Sequence, residues 1–189
     1  MKIRPMLFAL VAASTATLVG ASASFASTSW KDPGQSRQAT RDMVEQTIDR
    51  LYSLEPSARR AIRQSGYYAV FDIAADGSGR GMVVEESIRE ETLMGVSGSQ
   101  PATPGGYRQV WVFKTPEAYR EFIAHGHAFA DGTRLEPNLA LGAPWPPGAL
   151  RVADDVTLYH ITNEGLVMDL TMPASAYRRN IAFDRTGRL

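Results

Sequence analysis

The chain has 189 residues, 44% hydrophobic and 21% charged, with 20 basic and 20 acidic side chains and no cysteine. Balanced charge gives no general attraction to nucleic acid or anionic lipid, so any such attraction has to be local. The missing thiols exclude disulfides, a lipid-modified cysteine, cysteine nucleophiles, thiolate metal sites and iron–sulfur clusters.

Lys2 and Arg4 precede a mostly apolar run, Met6–Val19, and Ser24-Phe25-Ala26 has the small-x-small form of a cleavage site. Residues 1–26 are expected to be a secretory signal peptide, which places the product in the periplasm or outside the cell. The run is too short, and too rich in Ser and Thr, for a spanning helix. Removal of residues 1–26, which takes Lys2 and Arg4 with it, leaves 163 residues with 18 bases and 20 acids. A domain of that size buries enough apolar surface to fold without covalent staples.

Residues 27–36 (STSWKDPGQS) read as a flexible arm. A helix is expected from about Arg37 to Ser53, with Met43, Val44, Thr47, Ile48, Leu51 and Leu54 on one side and Asp42, Glu45 and Asp49 on the other. Glu55-Pro56-Ser57 opens a second helix and Gly66 ends it. On that helix Arg59, Arg60 and Arg63 share an arc of about 100°, opposite Ala58, Ala61 and Ile62.

Strand signals follow: Tyr67–Ile73, a turn at Asp76-Gly77-Ser78-Gly79, then Met82–Ser87 and Thr92–Ser97 around a charged bend at Arg89-Glu90. After a loop over Gly98–Gly106, Tyr107–Phe113 is a strong strand. Thr115-Pro116-Glu117 caps a third helix that runs to about Ala124. One short strand is expected near Arg134–Leu141, then a loop containing Pro144-Trp145-Pro146-Pro147. Val156–Thr162 and Leu166–Thr171 read as a β-hairpin about Asn163-Glu164-Gly165. From Tyr177 the tail is basic, with Arg178, Arg179, Arg185 and Arg188. The pattern predicts one α+β domain: a curved, partly barrel-like antiparallel sheet, with two N-terminal helices and one further helix, the helices to one side.

Three stretches, "IDRLYSLEPSARRAIRQSGYYAVF" (48–71), "GYRQVWVFKTPEAYREFIAHG" (106–126) and "VTLYHITNEGLVMDLTM" (156–172), together resemble the SYLF domain, a lipid-binding module of bacteria and eukaryotes. In that family the first corresponds to a helix, a Pro-x-Ala-Arg helical turn and a strand ending Val-Phe. The second corresponds to a strand closing on a Thr-x-Glu-Ala helix, and the third to a hairpin returning at Gly-Leu. The likeness covers about residues 39–183, giving a SYLF-like domain at 37–183 and a basic tail at 184–189. It implies a non-enzymatic domain that binds phospholipid and carries no cofactor. The sequence departs from the family at Asp72, where a proline usually follows Val-Phe, in its sparse glycines thereafter, and in the acidic "EESIREE" (85–91).

The candidate site is therefore a lipid-phosphate grip formed by Arg59, Arg60 and Arg63, with Arg178 and Arg179 adding to it if they lie nearby. The competing reading pairs these arginines with Asp42, Glu45 or Asp49, or leaves them as solvated charges. Expected partners are an anionic phospholipid or membrane surface, with an envelope protein bound through a sheet edge or the Pro-Trp loop as the alternative, and no nucleic acid. A metal on His125 and His127 requires them to share one face. A hydrolase on Ser97, His160 and Asp154 requires a strand–elbow–helix context that "GVSGS" (95–99) lacks. Neither metal nor catalytic residues are expected.

Overall fold

The structure is a computed structural model that describes residues 33–99, 105–137 and 148–179. The expected signal peptide, the Pro-Trp loop with Trp145, and the tail at 184–189 lie outside the described residues. The elements are α1 (Pro33–Leu54), α2 (Ala58–Ser65), β1 (Tyr67–Ile73), β2 (Gly79–Glu85), β3 (Glu90–Gly98), β4 (Tyr107–Phe113) and α3 (Pro116–His125). There follow β5 (His127–Phe129), β6 (Thr133–Leu135), β7 (Leu150–Ala153), β8 (Val156–Thr162), β9 (Gly165–Val167), β10 (Leu170–Met172) and β11 (Ser175–Arg179).

Every strand pairing among the described residues is antiparallel. The main sheet runs β5-β11-β3-β2-β1-β4-β8-β7, with β9 also on β8, and β6 and β10 form a separate pair. The sheet curls into a half-barrel, and the whole is a single α+β domain. Tyr177 of β11 makes the curl explicit: its hydroxyl donates to Gln109 Oε1 of β4 at 2.6 Å, although β3, β2 and β1 stand between those strands in the sheet.

Alternation along the central strands divides the core in two. Ala69, Phe71, Ile73, Val83, Met94, Tyr107, Trp111 and Phe113 point into the curl. Val70, Met82, Leu93, Val110, Val112, Tyr159 and Ile161 point out of it, where Met43, Val44 and Leu51 of α1 and Ala58 and Ile62 of α2 cover them. Inside, Trp111 is fully buried, with ring centroids 5.1 Å from Phe122 of α3, 5.0 Å from Tyr177 and 5.7 Å from Phe129. Aromatic pairs at such spacings add roughly 0.5–1.5 kcal/mol each beyond the area they bury. The helices thus occupy both faces rather than one side, because β1 and β4 have no polar face to leave in water.

Local signals act as expected at several ends. Thr115 Oγ1 accepts from Ala118 N at 3.2 Å, with proline in the first turn of α3. In α1 the buried Thr40 and Thr47 hydroxyls donate to the carbonyls of Ser36 and Met43, four residues back, so neither is left unpaired.

Other boundaries differ. The first helix starts at Pro33, so residues 33–36 of the expected arm are helical; proline suits a first turn, and Gly34 does not break it. β2 begins at Gly79, since its glycines pair in register with β1. The strand expected near 134–141 is instead β6, ending at Leu135, and residues 138–141 are outside the described set. The return of the expected hairpin is only Gly165–Val167; Leu170–Met172 leaves to pair with β6. β5, β7 and β11 carry no signal of their own, being three to five residues long. Among the described residues no helix is long and apolar enough to cross a membrane.

Gly81 shows how tightly the inner layer is set. It pairs with Phe71, and a Cβ there would lie 2.2 Å from the Val70 carbonyl oxygen and 2.3 Å from the Phe71 ring. Gly81→Ala is expected to destabilise the fold by about 1–3 kcal/mol, read as a lower urea midpoint.

Candidate functional site

The short link between α1 and α2 is set by Glu55, whose Oε1 accepts from Ser57 N at 3.1 Å and from the Ser57 hydroxyl. α2 then turns Ala58 and Ile62 fully into the outer core. Helical spacing leaves Arg59, Arg60 and Arg63 exposed on the opposite side. Gly66 ends the helix in the left-handed region (φ 70°), its N–H donating to the Ile62 carbonyl at 2.8 Å. The Gly66 carbonyl in turn accepts from Glu86 N at 2.9 Å, which ties the end of α2 to the β2–β3 turn.

The Arg59 guanidinium lies 4.6 Å from the centroid of the Tyr52 ring of α1, a cation–π contact that holds it in place without neutralising it. Among the described residues no carboxylate is within ion-pair distance of Arg59, Arg60 or Arg63. The expected alternative pairing with Asp42, Glu45 or Asp49 is not formed. A groove of about 420 Å³ runs along this face, lined by Pro56, Arg59, Arg60, Arg63 and Gln64. Burial raises the Tyr52 phenol above its ordinary pKa, Glu86 raises it further, and Arg59 and Arg63 oppose the shift. Tyr68 beside it is pushed up to about 12, again by burial first and Glu86 second.

Arg178 and Arg179 do not join this face. They sit on β11 opposite Gly95 and Met94 of β3 and line a separate groove. Strands β3 and β2 lie between β11 and β1, a lateral offset of about 14 Å at ordinary strand spacing. One headgroup cannot be gripped by both sets.

The histidines lie in different surroundings. His125 Nδ1 is 2.9 Å from Glu121 Oε1 on the exposed side of α3. His127 packs edge-on against Trp111 and Phe129, and burial lowers its pKa. No group of three or more metal-ligating side chains occurs among the described residues. Ser97 is exposed on β3 and His160 is buried on β8, with three strands between them, while Asp154 pairs with Arg151. They do not form a triad.

Sequence reasoning missed a buried polar chain inside the curl. Tyr177 donates to Gln109, and Gln109 Nε2 lies 3.4 Å from His160 Nδ1. Tyr107 stacks on the His160 ring at 4.3 Å. His160 Nε2 has no hydrogen-bond partner among the described residues. The available signal was Gln109 at an inward position of an otherwise apolar strand face. Burial lowers the His160 pKa to about 4 and raises that of Tyr177 strongly.

No family model matches the chain, and no curated protein matches it.

The His160 shift gives a pH test of the interior. The folded state holds His160 neutral, while the unfolded chain takes up a proton near 6.5. Its contribution to stability is therefore complete above about pH 6.5 and is lost as pH falls toward 4, by up to about 3 kcal/mol. Urea denaturation between pH 7 and 5 (at about one-unit steps) is expected to show this slope, and His160→Gln to flatten it.

Proposed function

We propose that this chain is an exported, non-catalytic module that docks on anionic phospholipid surfaces through Arg59, Arg60 and Arg63, as a divergent relative of the SYLF domain. The observation that carries this reading is the outward arginine face of α2, which engages no carboxylate among the described residues of a charge-balanced protein. Guanidinium groups form forked, charge-assisted hydrogen bonds with phosphate oxygens. Each contributes about 1 kcal/mol near an anionic bilayer. Three therefore support a weak, reversible contact in the millimolar range. Glu86, whose charge acts on Tyr52 in opposition to Arg59 and Arg63, opposes anion binding here.

Sedimentation with phosphatidylglycerol-containing and pure phosphatidylcholine vesicles tests this. Binding is expected to the first only, to disappear near 1 M salt, where screening acts within about 3 Å, and to weaken roughly 100-fold in the Arg59, Arg60 and Arg63→Gln triple variant. Glu86→Gln is expected to strengthen it. Equal failure on both vesicles, or unchanged binding by the triple variant, rejects the reading.

A further inference from the structure

The β2–β3 hairpin ends beside α2 in the turn Glu86-Ser87-Ile88-Arg89, between the paired Glu85 and Glu90. Arg89 closes the turn in the left-handed region (φ 54°), which is uncommon for a residue other than glycine. All four turn residues are exposed, and Ile88, at 63%, is the most open large hydrophobic side chain among the described residues. The place of the turn relative to α2 is fixed, because Glu86 N donates to the Gly66 carbonyl at 2.9 Å. Glu91 is engaged by Arg37 and Arg41, and Glu85 accepts from the Ser87 hydroxyl at 3.1 Å. Glu86 and Glu90 meet no cation among the described residues.

At the other end of α2, Arg59 and Arg60 occupy the first turn, which holds no acidic residue. Cations at the positive end of a helix are unfavourable, so an anion from outside is favoured there. The groove of about 420 Å³ opens beside them. One strip of surface therefore carries an unmatched cationic groove and an unmatched acidic tip with an apolar side chain. An eight-residue helix, roughly 12 Å long, separates them.

We infer that this strip is the contact surface of a two-fold homodimer, in which the hairpin tip of each copy enters the arginine groove of the other. Ile88 fills the groove, and Glu86 and Glu90 face Arg59 and Arg60 of the second copy. A patch with opposite charges at its two ends matches its own copy when a two-fold axis crosses the middle, the commonest symmetry of closed assemblies. An anionic bilayer satisfies the groove but repels the tip, whereas a second copy satisfies both at once. A helix face and a turn make a small interface, so the dimer is weak. It covers Arg59 and Arg60 and so competes with docking on a membrane, but it does not rest on that reading.

Sedimentation equilibrium from micromolar to millimolar protein tests this. The average mass is expected to rise from one copy toward two, less steeply at high salt. Ile88→Ser, Arg60→Glu and Glu86→Arg are each expected to weaken association about tenfold or more without lowering the thermal midpoint. An equimolar mixture of the Arg60→Glu and Glu86→Arg variants is expected to regain it, because across that pair each tip again meets a groove of opposite charge. A monomer at every concentration, association unchanged in all three variants, masses above two copies, or two reversals that fail to rescue each other overturn the dimer. Monomeric wild-type protein that sediments with phosphatidylglycerol vesicles gives the strip to the bilayer alone. A dimer that ignores both kinds of vesicle rejects the membrane reading and leaves the homodimer standing.

Discussion

Burial of both faces of β1 and β4 is the constraint from which the remaining architecture follows. Val70, Val110 and Val112 need cover on one side, and Phe71, Trp111 and Phe113 need it on the other. Alternation allows no polar face on such a strand. α1 and α2 supply the outer cover. The curl of the sheet, with α3 inside it, supplies the inner one. An eight-residue helix that commits Ala58 and Ile62 to the outer core has only its far side left for Arg59, Arg60 and Arg63. The arginine face is thus a consequence of packing as well as of composition.

Net charge describes this surface poorly. Carboxylates that could have met the α2 arginines have other partners: Glu55 accepts from Ser57, and Asp42 accepts from Gln38 on α1 at 2.8 Å. Glu91 is engaged by Arg37 and Arg41, and Asp72 by Arg108. The outer side of α2 is left cationic while the exposed side of α1 carries Asp42, Glu45 and Asp49, so equal totals of charge coexist with local fields of opposite sign.

The interior is held by polar as well as apolar contacts. The Tyr177–Gln109 hydrogen bond joins strands that are distant in the sheet order and close across the curl. It extends to His160, whose ring is stacked on Tyr107. Such a buried chain rewards one closure of the half-barrel over others, because a slipped register strands its donors and acceptors. The low pKa of His160 follows from the same burial.

Long periodic elements were legible without coordinates. β1 and β4 have the bounds that their apolar runs suggest, α3 has its threonine cap, and α2 ends at Gly66 with its arginines outward. These features depend on neighbours within a few residues, which is where sequence pattern carries information. Strands of three to five residues hold too few alternations to register, and the basic end of β11 hid the inward Ser175 and Tyr177. The departure of Leu170–Met172 to β6 and the separation of Arg178 from the α2 arginines were decided by strand order and curl. Those depend on which distant segments pair, and the pairing is fixed by burying both faces of the sheet at once rather than by any local run of residues.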